Sequence, residues 1–131
     1  MKLLTLKNLL KNNSNITLDI FKKVIINDNA LLVLDHIPES SIDLVVTSPP
    51  YDDLRDYNDE LVWNFEVFKK IAKKLYRVMK NGGTIAWVIG DKVTNKDKSL
   101  TSFKHALYFQ SLGFKIYDVI IYEKTGSGPP H

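Results

Sequence analysis

The sequence has 131 residues, of which 44% are hydrophobic, 25% charged and 11% aromatic, and its formal net charge is +3. These fractions are those of an ordinary folded domain, so they exclude the disordered, collagen-like and low-complexity classes. The length accommodates one domain, and the small basic excess permits an anionic partner without arguing for one.

The chain contains no cysteine, which excludes disulfides, cysteine-based zinc sites and thiol catalysis. The three histidines, His36, His105 and His131, lack the spacing of metal ligands, and we expect His36 and His105 to be structural. Residues 2–11 are leucine-rich, but lysines interrupt them and no cleavage site follows, so a signal peptide is not predicted. No apolar run reaches the roughly 18 residues that span a membrane. We therefore interpret the chain as cytoplasmic, with no membrane partner.

An amino-terminal helical extension is expected over residues 1–20, and alternating strand and helix patterns follow it. The run from Ile42 to Thr47 has the continuous apolar character of a strand buried on both faces. The predicted strands are Val24–Ile26, Ile42–Thr47, Thr84–Ile89 and Phe114–Tyr122; the predicted helices are Ala30 to about His36, about Glu60 to Lys80, and one from Thr101 or Ser102 to Leu112.

The longest predicted helix has one apolar stripe at steps of three and four, formed by Phe65, Phe68, Ala72, Leu75 and Met79. The basic residues between Lys69 and Lys80 fall on the other side, and we interpret them as a solvated face rather than a DNA-binding track. Asn81-Gly82-Gly83 is expected to end this helix because a glycine pair supplies positive φ, and Gly113 is expected to end the next helix.

The order β-α-β-α-β-α-β implies right-handed crossovers and a mainly parallel sheet with helices on both faces, which is a three-layer α/β fold. Ligands of such folds lie beyond the carboxyl ends of the strands. The loops of interest therefore follow Ile26, Thr47, Ile89 and Tyr122.

The loop after Thr47 reads Ser48-Pro49-Pro50-Tyr51. Two prolines fix φ at about −65° and keep the residues before them out of helical conformations, so the bend is stiff. Since proline lacks an N–H group, the bend is rich in acceptors, which include the Ser48 hydroxyl and nearby carbonyls. Such acceptors beside the Tyr51 ring suit the exocyclic amine of a planar base, whose lone pair becomes nucleophilic when both N–H groups are bound. Taken alone, a Pro-Pro turn after a buried strand is usually only a turn.

Thr47-Ser48-Pro49-Pro50-Tyr51, followed by Leu54-Arg55-Asp56-Tyr57, resembles the catalytic segment of amino-DNA methyltransferases of the circularly permuted β class. The resemblance starts at about Val24 and continues, in order, through Arg77 to Gly83, Trp87 to Asp91, Thr101 to Phe103 and Ile121 to Lys124. It implies a Rossmann-like, S-adenosylmethionine-dependent methyltransferase fold that acts on double-stranded DNA. Ser48, where Asp or Asn is usual for adenine N6, implies cytosine N4 as the preferred target.

The resemblance also implies roles for individual residues. Ser48 and the Pro49 carbonyl would bind the target amine beside the methyl donor, and Tyr51 would stack on a base flipped out of the duplex. Pro50 completes this catalytic segment. Asp28 matches an acidic residue that contacts the adenosine of the donor, and capping of the following helix is the alternative role for Asp28.

Three further residues are candidates for substrate binding. Tyr122 and Lys124 match the region that walls the flipped-base pocket, although Tyr122 could equally pack within a strand. Arg55 would contact a phosphate or pair with Asp52 or Asp59, and the sequence does not decide between these.

Some elements of the family have no counterpart in the sequence. The glycine-rich Phe-x-Gly-x-Gly loop that cradles the methionine part of the donor is absent, and so is a target-recognition region. The family's sheet also has two strands between those ending at Ile26 and Thr47. We therefore expect an incomplete fold, in which residues 1–131 are the amino-terminal part of a catalytic domain. The carboxyl-terminal half of the protein, or a second chain such as another copy in a homodimer, would complete the sheet. The chain alone would be inactive.

Two other classes of protein stay open. A methyltransferase acting on RNA or on protein glutamine has a related Asn-Pro-Pro-Tyr loop, but it carries its glycine loop upstream, and none precedes Ser48 here. A catalytically inactive remnant or interaction module would show the same residues without the activity.

Overall fold

The computed structural model describes residues 1–51 and 63–126, which form six strands, four α-helices and a 3-10 helix. The strands are β1 (Lys2–Leu4), β2 (Val24–Ile26), β3 (Ile42–Thr47), β4 (Met79–Trp87), β5 (Val93–Thr94) and β6 (Asp97–Lys98). The α-helices are α1 (Leu6–Lys11), α2 (Ala30–His36), α3 (Phe65–Val78) and α4 (Thr101–Leu112), and the 3-10 helix is Leu18–Phe21. No helix of the described chain has the length and apolar character needed to cross a bilayer.

Within the described residues, the strands form three separate pairs rather than one sheet. β1 pairs with β2 and β3 pairs with β4, both in parallel, whereas β5 and β6 are antiparallel. The parallel character of the two larger pairs is confirmed, although the described strands do not join into one sheet. The interruption falls between β2 and β3, because no described strand lies there to supply the backbone hydrogen bonds that would join them.

The core lies on one side of the β3–β4 pair. Phe68 and Ala72 of α3 and Phe109 of α4 form a buried cluster, and Ile85 and Trp87 of β4 pack against it. Side chains of a strand alternate between its two faces. The two helices therefore cover the face of the sheet from which Ile85 and Trp87 project.

The opposite face of this pair is open. Leu44 and Val46 of β3 are 60% and 67% exposed, and they pair in register with Thr84 and Ala86 of β4, which are also exposed. The prediction that β3 is buried on both faces is wrong, because the described helices cover only the other face. In the described residues the β3–β4 unit therefore has two layers, not three.

Helix α3 has the amphipathic character that the sequence predicts. Asn64 caps its first turn, since the side-chain oxygen accepts a hydrogen bond from the Val67 N–H group at 2.9 Å. The predicted stripe is buried at four positions, which are Phe68, Ala72, Leu75 and Met79, but Phe65 is 41% exposed. The described part of the helix begins at Phe65 rather than Glu60, and residues 52–62 lie outside the described chain.

The prediction that Asn81-Gly82-Gly83 ends α3 is wrong. The helix ends at Val78, and Met79 already has extended dihedrals because it starts β4 and pairs with Ile42. The next pair is Leu44 with Thr84, so four residues of β4 bulge opposite Asp43. Gly82 has a φ of +80° within this bulge, a conformation that costs glycine little.

Part of the basic side of α3 is used within the fold. Arg77 donates hydrogen bonds to the Leu34 and Ile37 carbonyls at 2.6 and 2.8 Å, which satisfies backbone acceptors at the end of α2. Lys74 of α3 forms an ion pair with Asp35 of α2. These two residues attach α2 to α3, and Arg77 remains exposed, as the interpretation of a solvated face predicts.

The amino-terminal segment is not the helical extension that residues 1–20 predict. Lys2–Leu4 forms β1 because its backbone pairs with β2, with Lys2 opposite Val24. The helix that follows is short, and Thr5 caps it by accepting a hydrogen bond from the Asn8 N–H group at 3.2 Å.

A β-hairpin lies between the predicted strand Thr84–Ile89 and α4, where the sequence predicts no regular element. β5 and β6 are joined by Asn95 and Lys96, which both have positive φ, at 52° and 64°. Two consecutive positive φ values characterise the tight hairpin turn that matches strand twist. Helix α4 then runs to Leu112, and Gly113 ends it with a φ of +113°, as predicted.

Candidate active site

The carboxyl ends of β3 and β4 lie side by side. The Val88 N–H group donates to the Thr47 carbonyl at 2.9 Å, which continues the strand pairing one residue past the end of β4. The segment Ser48–Tyr51 therefore leaves β3 next to Gly90, which follows β4. This is the edge at which α/β folds place their ligands.

The Ser48 and Tyr51 hydroxyl groups share a hydrogen bond of 2.7 Å. Pro49 between them is buried, whereas the Ser48 side chain is exposed. The proline bend thus brings the Ser48 and Tyr51 hydroxyls together at the surface, while the buried ring of Pro49 anchors the loop. The structure places all four residues of the predicted catalytic segment in one compact turn.

The ring of Tyr51 lies over Gly90. A Cβ atom added to Gly90 would be 3.3 Å from Tyr51 Cδ2 and 3.5 Å from Tyr51 Cε2. The first distance is shorter than an ordinary van der Waals contact, so a side chain at residue 90 would require the ring to shift by a few tenths of an ångström.

Asp91 fastens the same loop to the start of α4. Its Oδ1 accepts from the Ser102 N–H group and its Oδ2 accepts from the Ser102 hydroxyl, both at 2.8 Å. Leu100, which precedes the helix, makes no side-chain capping hydrogen bond. The carboxylate therefore acts as the cap of α4 from a distant loop, where it also lies favourably against the positive end of the helix dipole.

Asp28 lies at the carboxyl end of β2. Its Oδ2 accepts from the Leu6 N–H group at 3.2 Å and its Oδ1 accepts from the Asn29 N–H group at 2.8 Å. Asn29, not Asp28, caps α2 by accepting from the Leu31 N–H group. The alternative role of Asp28 as the cap of the following helix is therefore wrong, because its carboxylate turns back to the first residue of α1.

Of the remaining candidates, Tyr122 and Lys124 lie in a segment that does not form the predicted strand. The prediction of a strand over Phe114–Tyr122 is wrong: the segment has no regular structure and Tyr122 is 83% exposed. A strand requires a partner for its backbone groups, and no described strand pairs with this segment. Lys124 is exposed in the same segment, and Arg55 lies outside the described residues.

Gly90 and Asp91 are site-adjacent residues for which the sequence predicts no role, and Ser102 is expected from the sequence only as a start or cap of α4, whose N-cap residue is Leu100. Their signal was present, since Gly90-Asp91 directly follows the predicted strand Thr84–Ile89 and therefore lies at the ligand-binding edge. The contact between Asp91 and Ser102 joins residues that are 11 apart in the chain, and only the fold shows it.

A family model and several curated relatives match the chain. A family model described as DNA methylase matches residues 42–131, which is more than half of the chain. The orphan methyltransferase M.BamHII of Bacillus amyloliquefaciens is 50% identical over 96 residues, which cover 73% of this chain and 35% of that protein. No solved structure matches the chain significantly.

Two Type II methyltransferases are more distant relatives. M.BglII of Bacillus subtilis is 34% identical over 68% of this chain and 26% of its own length. M.SfiI of Streptomyces fimbriatus is 34% identical over 77% of this chain and 30% of its own length. The chain therefore spans about a quarter to a third of the length of these curated relatives.

Proposed function

Because this chain belongs to the DNA methylase family, we propose that it is the amino-terminal part of a methyltransferase that acts on double-stranded DNA. The reaction would transfer a methyl group from S-adenosylmethionine to the exocyclic amine of a flipped base. We propose cytosine N4 over adenine N6, on the basis of Ser48 at the first position of the proline motif. The relatives named above are methyltransferases, which supports the reaction class.

The observation that carries the proposal is the hydrogen bond of 2.7 Å between the Ser48 and Tyr51 hydroxyls at the end of β3. A hydroxyl group has one proton and two acceptor lone pairs. If the Ser48 proton points to Tyr51, the lone pairs of Ser48 are free to accept an N–H group of the substrate. The Pro49 carbonyl is a second acceptor in the same turn, so one amine can be held at both of its N–H groups.

Tyr51 supplies the stacking surface in this proposal. One face of its ring lies against Gly90, so a planar base would stack on the other face. Stacking of a base on an aromatic ring contributes about 1–3 kcal/mol, and it compensates part of the unstacking that base flipping requires.

The exposed acceptors near the strand ends fit the methyl donor. Asp28 accepts one hydrogen bond at each carboxylate oxygen, and a carboxylate offers about four acceptor positions, so it retains capacity for a ribose hydroxyl of the adenosine. Ser48 and Pro49 would lie beside the transferring methyl group. When bound, S-adenosylmethionine would supply an electrophilic sulfonium methyl group to the amine that Ser48 and Pro49 hold.

A groove between the two parallel sheets supports the proposal that residues beyond this chain complete the domain. The groove has a volume of about 460 Å³. Strands β2 and β3 and the 3-10 helix contribute most of its lining, and the apolar side chains are Leu18, Phe21, Val24, Ile26, Ile37, Ile42 and Leu44. We propose that extended segments from the carboxyl-terminal part of the same protein fill it, because an uncovered apolar groove between sheet edges favours pairing with further strands.

Methyl transfer to a duplex by the longer protein that carries this chain tests the function. Radiolabelled donor and digestion to nucleosides would identify N4-methylcytosine, the expected product, or N6-methyladenine, which would overturn the cytosine assignment. Ser48→Ala should abolish transfer and leave the circular dichroism spectrum unchanged, whereas Ser14→Ala, at an exposed serine outside the site, should transfer at the wild-type rate. Full activity of Ser48→Ala would remove this residue from the mechanism.

Donor binding tests whether the chain is incomplete. Calorimetry of the isolated chain should show no tight binding of S-adenosylmethionine, because the glycine-rich loop that would cradle the donor is absent. Tight binding by a monomer would contradict this. A longer protein that binds donor and DNA but transfers no methyl group would instead support the inactive remnant.

A further inference from the structure

We propose that Gly90 and Asp91 are positioning residues for Tyr51. Gly90 would be the seat on which the Tyr51 ring rests, and Asp91 the clamp that holds this seat against α4. Neither residue is assigned a role in binding substrate or donor. The inference rests on the proposed function, since it concerns how the stacking surface for the base is held.

The contact with Tyr51 accounts for glycine at position 90. The backbone of Gly90 does not have a positive φ, unlike Gly82, Gly113 and Gly126, so its conformation does not require glycine. A Cβ atom there would approach Tyr51 Cδ2 to 3.3 Å. An added Cβ would therefore require the ring to shift by a few tenths of an ångström, and this shift would move the Tyr51 hydroxyl relative to Ser48.

Asp91 connects the seat to the rigid part of the molecule. Both of its carboxylate oxygens bind Ser102, one at the backbone and one at the hydroxyl, each at 2.8 Å. Helix α4 is itself fixed by His105 and Phe109, which are 2% and 6% exposed in the core. The position of the loop after β4 is therefore set by a helix packed in the core, because two charge-assisted hydrogen bonds restrain the residue next to Gly90.

This arrangement has a consequence for the reaction. Tyr51 is backed on one face by the protein backbone and held at its hydroxyl by Ser48. A base that stacks on the free face would then lie at a fixed height relative to the Ser48 oxygen. Loss of the clamp should lower the rate of transfer more than the affinity for the donor, because the amine would be misplaced rather than unbound.

Substitutions at residue 91 separate the effect of losing the hydrogen bonds to Ser102 from other effects of changing the side chain. Asp91→Ala removes both hydrogen bonds, whereas Asp91→Asn keeps an acceptor for the Ser102 N–H group and has an amide that can donate to the Ser102 hydroxyl. We expect kcat to fall about 10- to 100-fold in Asp91→Ala, with KM for the donor little changed. Asp91→Asn should stay near the wild-type kcat. Asp97→Ala, at an exposed residue of β6, is the matched control and should be fully active.

A second measurement, which does not depend on methyl transfer, reports directly on the contact between Gly90 and the Tyr51 ring. In the isolated chain, the Gly90 α-proton resonances should be displaced by the ring current of Tyr51, and Tyr51→Leu should abolish the displacement. Asp91→Ala should reduce the displacement, and Asp91→Asn should retain it. Gly90→Ala should also lower kcat of the longer protein, as Asp91→Ala does.

The outcomes distinguish this inference from the function on which it rests. A wild-type protein without methyl transfer would overturn the proposed function and, with it, any positioning role in the reaction. An active wild-type protein in which Asp91→Ala retains kcat, or in which Asp91→Ala and Asp91→Asn lose the same amount, would overturn the positioning role alone. Unchanged Gly90 resonances in Asp91→Ala would also overturn it.

Discussion

The indole Nε1 of Trp87 donates a hydrogen bond to Nδ1 of His105 at 3.1 Å, and this contact joins β4 to α4. Trp87 pairs with Thr47, the residue before Ser48. The imidazole of His105 also stacks on the Phe68 ring with 3.6 Å between centroids. A polar contact inside an aromatic cluster thus fixes the strand that carries the candidate active site relative to the helix that Asp91 caps.

The coupling of Trp87 and His105 should be measurable by a double-mutant cycle. His105→Leu leaves the part-buried indole N–H group without this acceptor, and we expect the free energy of unfolding to fall by about 1–3 kcal/mol. Trp87→Phe removes the donor instead. The double variant should lose less than the sum of the single losses, because neither partner is then left behind. Strictly additive losses in urea denaturation would show that the hydrogen bond contributes nothing.

The Phe68 side chain should contribute strongly to the stability of the core. It is fully buried at 0% exposure between α4 and β4, so Phe68→Ala should lower the free energy of unfolding by about 3–5 kcal/mol. Phe68→Leu, which leaves a smaller cavity, should cost clearly less. Phe103→Ala is the control, since Phe103 is 61% exposed and its removal should change stability by at most about 0.5 kcal/mol. Equal effects at Phe68 and Phe103 would contradict the assignment of the core.

The two adjacent glycines of the β4 bulge should respond differently to alanine. Gly82 has a φ of +80° but free space around its Cα, so Gly82→Ala should cost about 1 kcal/mol of backbone strain. At Gly83 an added Cβ would lie 3.0 Å from the Lys80 carbonyl oxygen and 3.1 Å from that of Asp43. Because backbone atoms cannot move aside easily, Gly83→Ala should cost more, about 1–3 kcal/mol. Thermal or urea denaturation that ranks Gly82→Ala as the more harmful change would contradict this geometry.

The ion pair between α2 and α3 predicts a pH effect. The hydrogen bond from Lys74 holds the pKa of the Asp35 carboxyl below its ordinary value of 3.8, despite some opposing desolvation. Since the pKa is lower in the folded than in the unfolded chain, the stabilisation is present above pH 3.8 and is lost as the pH falls through the folded value. Both groups are partly exposed, so the effect should be small and screened by salt.

Carboxyl carbon NMR checks this prediction. The Asp35 resonance should titrate at lower pH than those of ordinary aspartates, and Lys74→Met should raise its midpoint. The stability difference between wild type and Asp35→Asn should shrink as the solution is acidified below pH 3.8. A midpoint that is unchanged by Lys74→Met would show that the ammonium group is not the cause.

The local elements were largely predictable because their patterns act within a few residues. The steps of three and four in Phe68, Ala72 and Leu75 predict the buried side of α3, and Gly113 predicts the end of α4. The end of α3 was not predictable in this way. Gly82 and Gly83 carry a strong helix-ending signal, but pairing of Met79 with Ile42 converts the chain to a strand before the glycines are reached.

The candidate site was likewise predictable from the sequence only where its conformation depends on neighbouring residues. The proline bend and its two hydroxyl groups could be found from Ser48-Pro49-Pro50-Tyr51 alone, since prolines restrict the backbone wherever they occur. The segment Phe114–Tyr122 has an equally clear strand composition and forms no strand, because a strand exists only where a neighbour accepts its hydrogen bonds.

By itself, the sequence determined the kind of chemistry this protein can present: an acceptor-rich, rigid turn with an aromatic ring at the end of an apolar strand. The tertiary structure decided what holds that turn in place, which is the backbone of Gly90 beneath Tyr51 and the carboxylate of Asp91 on Ser102. It also left one face of β3 open, with Leu44 and Val46 exposed. The physical reason is that residue types and short spacings fix local conformation, whereas contacts between distant residues depend on which elements the fold brings together.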